Sequence, residues 1–277
     1  MPPTPQILRP SPSRILFISP PSSTSAIQYC VYERSHQRSL AADLRYAAGR
    51  VPFLKAELPT TILTPTPALI TSLQTIEQND DDSALSIAYN YSFPTKAARN
   101  KVLFDPIPSQ DVATIFAVTR DAYHEAGEAL QDFKFINSQT IIIPRLAPLA
   151  PGHALYLICE PKDSLHLYLY TNHHLQAAQS YSIHTADDAL YYALSLATLL
   201  AIAPQNLSCT IIPTQCEPQG LAELLASTFL QAQTLTLPRQ YLRLQKEGFP
   251  IDLIMLLLPQ SLASPAMMSG ARKEEGE

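Results

Sequence analysis

The side chains best equipped for chemistry gather in the second half of the chain. Glu160 and Asp163 bracket a turn, Glu160-Pro161-Lys162-Asp163-Ser164, and His166, His173, His174 and His184 follow it. Carboxylates at strand ends can hold Mg²⁺ for phosphoryl transfer, or the two metals of a nuclease. A phosphate also needs backbone N–H groups, which glycine-rich turns expose. This turn has acids but no glycine, and Pro161 removes one N–H. The matching turn of the first half, Ser19-Pro20-Pro21-Ser22-Ser23-Thr24, has neither acid nor glycine. A nucleoside would need close backbone approach in the loop Pro213-Thr214-Gln215-Cys216-Glu217-Pro218-Gln219-Gly220. There only Gly220 is left, and it reads as a helix-start glycine.

The remaining candidates reduce to structure. Glu160 is the only acid at the end of a first strand. Asp187 and Asp188 are accounted for by helix capping and the helix dipole. His173 and His174 are adjacent, so in an extended strand they face opposite ways, which disfavours joint metal ligation; the four histidines read as solvated turn residues. Cys30, Cys159, Cys209 and Cys216 show no CxxC spacing and no histidine spacing for zinc. No GxGxxG, GxxxxGK[ST] or GxSxG occurs. Tyr168, Tyr170, Tyr191 and Tyr192 read as core or interface rather than a base-stacking platform. The residues therefore assign no catalytic, cofactor-binding or metal site, and no cofactor is expected.

Composition narrows the classes further. The 277 residues are 46% hydrophobic and 16% charged, enough core material for one large or two medium domains. The net charge is −5 and no basic run exists, which argues against nucleic acid. There are 25 prolines and 7 glycines; the prolines read as boundaries and stiff loops. Three cysteines lie in or at expected strands, as reduced buried thiols do, so a cytoplasmic protein is the expectation. The N-terminus has no apolar stretch suited to a signal peptide. The longest apolar run, Ala189–Ala203, is short of the ~20 residues a span needs.

The elements that position these residues are clearest after the proline cluster Pro144–Pro151. Strands are expected at Leu155–Cys159, Leu165–Tyr170 and Leu175–Tyr181 from their alternating pattern. Thr185 with Asp188 forms a capping-box start for a helix over Ala186–Ala203, apolar on nearly every face and so expected to be buried on more than one side. Pro204 is expected to stop it. A strand at Leu207–Ile212, a helix at Leu221–Leu230 and a strand at Thr234–Leu237 complete the set. Strand-strand-strand-helix-strand-helix-strand is the chain order of ribonuclease-H-like and actin-like ATPase halves.

The first half is a weaker echo. Arg14–Ile18, Ile27–Tyr32 and Arg38–Tyr46 read as three strands, followed by a short helix from Pro67 to Ile76 and a polar turn at Asn79–Asp82. Leu85–Tyr91 and Asp111–Val118 read as strands, Thr119–Gln131 as a helix and Thr140–Ile143 as a strand. The resulting partition is a disordered N-terminus over 1–12, a first half over 13–147, a second half over 152–260 and a disordered tail over 261–277.

Three segments carry a family resemblance: TILTPTPALI (Thr61–Ile70), NKVLFDPIPSQDVATIFAV (Asn100–Val118), and the run from Leu155 through HTADDALYYAL (His184–Leu194) to Leu207–Ile212. On these the chain resembles a bacterial family typical of Bacteroidetes, domain of unknown function 3822. The resemblance implies an α/β protein of two actin-like ATPase (ribonuclease-H-like) halves, mixed sheets flanked by helices, and no catalytic residues to carry over. Active members of that fold use an Asp-x-Gly turn in each half and a Gly-Gly after the fourth strand, and this chain has none of them. The expected function is a non-enzymatic binding or scaffold protein with a protein partner and without nucleic acid or a membrane span. The alternative is a divergent ATPase or sugar-kinase-like enzyme with an unusual nucleotide site.

Overall fold

The computed structural model describes residues 5–19, 28–35, 37–51, 54–55, 57–78, 82–94, 99–161 and 163–258. The turn Pro20–Thr24, most of Asn79–Asp82 and the tail beyond Leu258 lie outside them. The chain divides into two compact units at Thr140/Ile141. The boundary thus falls ahead of the proline cluster, because the helix Ser138–Leu146 begins before it and runs through Pro144.

In the first unit, β1 (Gln6–Pro10), β2 (Arg14–Ile18) and β3 (Tyr29–Glu33) form an antiparallel meander. Helix α1 (Leu40–Ala48) leads to β4 (Thr60–Thr64), parallel to β1. Next come β5 (Ala68–Ser72), α2 (Leu73–Gln78), α3 (Asp82–Ser92), β6 (Asn100–Ile107), β7 (Val112–Thr119) and α4 (Arg120–Ala129). β8 (Phe133–Asn137) closes the main sheet, whose order is β3-β2-β1-β4-β8. β5, β7 and β6 make a separate antiparallel sheet.

The first unit departs from the sequence expectations at five elements. Gln6–Pro10, expected to be disordered, is the middle strand, with Ile7 and Leu8 buried. Arg38–Tyr46, expected as a strand, is mostly α1. Ser39 caps it by accepting the Ala42 N–H at 3.2 Å, and Leu40, Ala41, Leu44 and Ala47 recur on its buried face. Leu85–Tyr91 is helical, with Leu85 and Tyr89 buried one turn apart. The helix expected from Pro67 starts at Leu73, because Ala68–Ser72 pairs with β7. Thr140–Ile143 belongs to α5 (Ser138–Leu146), where β-branched propensity yields to the cap described below.

The second unit repeats the first unit's strand order. β9 (His153–Glu160), β10 (Ser164–Thr171) and β11 (His174–Ser182) are antiparallel; β12 (Ser208–Ile212) and β13 (Gln231–Thr234) run parallel to β9, in the order β11-β10-β9-β12-β13. Leu155, Leu157, Leu165, Leu167, Leu169, Cys209 and Ile211 pack against α6 (Ala186–Leu199) and α7 (Leu221–Thr228). Alternate residues Tyr156, Tyr168 and Tyr170 fall on the opposite face, and Tyr170 Oη donates to the Ile143 carbonyl of α5 at 2.8 Å. Helices α8 (Arg239–Lys246) and α9 (Ile251–Leu257) follow, the latter largely buried. The last strand lies three residues earlier than expected, at Gln231 rather than Thr234.

Helix α6 carries the capping box expected of Thr185 and Asp188. It is not buried all round. Ala189, Ala193, Leu196 and Ala197 form the buried face, whereas Tyr191 is 66% and Leu199 79% exposed. Small alanines bring the helix close to the sheet and leave its larger residues on the flanks, where Tyr192 stacks on Tyr181 at 4.0 Å. Nor does Pro204 stop it. Ala201 takes a left-handed conformation (φ 55°), with Ile202 N–H bonded to the Ala197 carbonyl (2.9 Å) and Ala201 N–H to that of Thr198 (3.0 Å). This is a Schellman motif closed without glycine. No helix among the described residues is long and apolar enough to cross a membrane.

Candidate functional site

In open α/β sheets ligands bind beyond the carboxyl ends of the parallel strands. Each unit has a polar cluster there.

In the first unit the ends of β4 and β8 meet the start of α5. Asn137 is fully buried; its Oδ1 accepts the Gln139 N–H at 3.0 Å and its Nδ2 donates to the Thr66 carbonyl at 2.9 Å. Ser138 Oγ donates to the Thr64 carbonyl at 3.2 Å. Asp105, from β6, accepts the Asn137 N–H at 3.0 Å and the Thr140 hydroxyl at 3.2 Å through one oxygen. Thr140 Oγ1 lies 2.7 Å from Thr114 Oγ1. Burial pushes the Asp105 carboxyl above its ordinary range; the Asn137 N–H, the Thr140 hydroxyl and the Lys134 charge pull the other way. A half-buried carboxyl so tuned, among hydroxyls, is chemically suited to hold or pass a proton. Sequence reasoning missed Asp105, whose only local signal is an Asp-Pro pair following the apolar run Val102–Phe104.

In the second unit β9 and β12 end side by side. Glu160 ends β9, and Asp163 makes the turn in a left-handed conformation (φ 57°). His166 sits with Nε2 3.4 Å from Glu160 Oε2 and Nδ1 2.7 Å from Ser180 Oγ. After β12 the loop folds on itself. The Glu217 carboxylate accepts the Thr214 N–H and lies 3.0 Å from Thr214 Oγ1. Thr214 Oγ1 also reaches the Cys159 carbonyl and accepts the Cys216 N–H at 3.3 Å. Gln245 of α8 donates to the Pro213 carbonyl. Gly220 takes φ 80° as the N-cap of α7, the helix-start role expected of it. The loop N–H groups nearest the strand ends are thus held by an acid and a hydroxyl of the loop itself.

The other candidate residues are dispersed. Asp188 accepts the N–H groups of His184 (2.8 Å) and Thr185 (2.9 Å), which hold its carboxyl below the usual range. His184 faces Asp163 at 3.5 Å, and His173, at φ 69°, meets the Ala147 carbonyl at 2.9 Å rather than solvent alone. All four cysteines are free. Burial pushes the Cys159 and Cys209 thiols up to about 12, Cys159 with help from Glu217 and Cys216. Among the described residues no three His, Cys, Asp or Glu side chains are grouped to hold a metal. A cleft of about 340 Å³ opens at the other end of the second sheet, where β9, β12 and β13 begin, lined by Gly152, His153, Asn206, Ser208 and Gln231 among others.

Comparison with known proteins agrees with this architecture. The chain is similar to a Bacteroides thetaiotaomicron VPI-5482 protein of actin-like ATPase fold and unknown function. The two are 17% identical over 91% of this chain and 94% of that one, with a TM-score of 0.69. It is also similar to a chain of a PilM–PilN type IV pilus biogenesis complex, at 12% identity over 95% and 99% of the two chains and a TM-score of 0.55. No curated protein matches it. The fold is actin-like, and the family model described as "Protein of unknown function (DUF3822)" matches residues 80–227, so the chain belongs to that family.

Proposed function

We propose that this protein is a non-enzymatic binding or scaffold protein, working in the cytoplasm, that keeps the actin-like fold without turning over ATP. The observation that carries the reading is the loop after β12. Its Thr214 N–H is held by the Glu217 carboxylate, so the backbone that a nucleoside would have to approach is already occupied by the loop's own side chain. The absence of glycine from Glu160–Ser164 points the same way. A neighbour of the same fold was solved within a PilM–PilN complex, which supports a role in assembly for this fold.

A divergent ATPase or sugar-kinase-like enzyme is the second reading, and Asp105 favours it: a carboxyl kept above its usual range beside Thr140 and Asn137 at a strand end. Thermal melting with and without Mg-ATP separates the two. A ligand at 100 times its Kd stabilises by about 2.7 kcal/mol. The binding reading expects no Mg-dependent rise at millimolar ATP and no phosphate release. A clear rise lost on chelating Mg²⁺ would overturn it.

A further inference from the structure

The outer edge of the first sheet combines two features. The first is the edge of β3. Ser19 N–H bonds the Gln28 carbonyl at 2.9 Å and Arg34 N–H bonds that of Ser13 at 2.8 Å. These pairs frame the register from Arg14↔Glu33 to Ile18↔Tyr29, and hydrogen-bonded pairs alternate along an antiparallel ladder. Cys30 and Tyr32 therefore turn their backbone groups to β2. Val31 and Glu33 turn theirs to the open side, where no further strand pairs among the described residues. The Val31 carbonyl has the Cys30 thiol at 3.8 Å.

The second feature is charge. Within a chain of net charge −5, positions 34–50 carry four arginines and one acid, Asp43. Arg34 pairs with buried Asp43 and Arg45 with Glu128, each at 3.1 Å. Arg38 and Arg50 face no carboxylate at salt-bridge distance among the described residues. Both hang over the exposed Tyr46 ring, at 4.5 and 3.9 Å from its centre. The patch adjoins β3, since Tyr32 lies 6.1 Å ring to ring from Tyr46 and its hydroxyl accepts from Arg38 at 3.3 Å.

We propose that this edge docks an extended segment of a partner protein, added as a strand beside β3 and carrying carboxylates at every second position. Backbone pairing at Val31 and Glu33 supplies affinity, as in other strand additions. The period-2 alternation of a strand puts every second side chain of the added segment on the α1 face, where Arg38 and Arg50 wait. Charge complementarity selects an acidic segment and rejects a basic one. The inference rests on reading the protein as a binding module, and names the chemistry of what it binds.

The test uses the full chain and a fluorescein-labelled dodecapeptide of alternating Glu and Thr, read by anisotropy. Controls are the Lys-Thr peptide and a peptide with its Glu and Thr in two blocks. The expected result is saturable binding of the alternating acidic peptide alone, weakened by raising the salt. Arg38→Glu with Arg50→Glu should weaken it about tenfold or more. Val31→Pro removes an outward N–H and spares the ladder to β2, so it should abolish binding at unchanged melting temperature. If Val31→Pro misfolds, the arginine variant decides alone. No binding at millimolar peptide, equal binding of the Lys or block peptide, or indifference to the arginine variant would overturn the proposal. So would a concentration-dependent dimer lost in Val31→Pro, which would give the edge to a second copy. Peptide failure without an Mg-ATP shift removes this surface but leaves the binding reading standing; an Mg-ATP shift removes the reading itself.

Discussion

Truncating three leucines of α6 measures how many of its faces are covered. Leu196 is 2% exposed, Leu194 is half-buried and Leu199 is 79% exposed. Leu→Ala removes three carbons, and at about 0.8 kcal/mol each the transfer loss is about 2.4 kcal/mol for a fully buried site. The cavity left beneath the helix adds to this, so Leu196→Ala should cost about 3–4 kcal/mol. Half that transfer loss, about 1–1.5 kcal/mol, is expected for Leu194→Ala, and under about 0.5 kcal/mol for Leu199→Ala. For a domain of this size each kcal/mol lowers Tm by about 3 °C, so the three variants should melt about 10, 4 and 1 °C below the wild type. Urea midpoints followed by circular dichroism give the same ranking independently of the thermal scan. A Leu199→Ala cost matching that of Leu196→Ala would refute the one-faced helix and restore the helix covered on every side that its composition suggested.

Three further outcomes are expected. Ala201→Gly relieves a left-handed residue that costs about 1–2 kcal/mol, less the greater unfolded-state entropy of glycine, and should raise stability by about 0.5 kcal/mol in urea titration. At pH 8 in native buffer, buried Cys159 and Cys209, both pushed up to about 12, should resist alkylation that reaches exposed Cys216; all four should label after unfolding, as mass measurement will show. The Asp105 carboxyl is raised in the folded state, so the unfolded chain gives up its proton first. Stability should fall as pH rises from the ordinary carboxylate value of 3.8 to the raised folded one, and Asp105→Asn should flatten that segment of the stability curve.

The second unit was legible because its signals are local. Leu165, Leu167 and Leu169 alternate with His166, Tyr168 and Tyr170, and Thr185 with Asp188 marks a helix start within four residues. The first unit was less so, for identifiable reasons. In β1 the prolines Pro5 and Pro10 hid a strand that needs only Ile7 and Leu8 to anchor it. The run Thr140–Ile143 has strand propensity, but Asn137 caps the turn ahead of it and commits it to α5. The Asp105 cluster was invisible because the partners of its carboxyl lie 32 and 35 residues away in sequence. The self-closed loop at Thr214 was half visible: missing glycines were plain, but the carboxylate that takes their place was not.

The shared strand order has a kinetic consequence, because the two sheets close at different points of synthesis. In the second unit β12 pairs with β13 only 23 residues later, Ser208 to Gln231. In the first, β4 must wait 73 residues for β8, from Thr60 to Phe133, while the intervening sheet and helices are made. At about 5–20 residues per second on the ribosome that is about 4–15 s during which one backbone edge of β4 has no partner. The unit made first is thus the slower to finish, and it emerges with an open strand edge that nascent-chain chaperones are suited to shield.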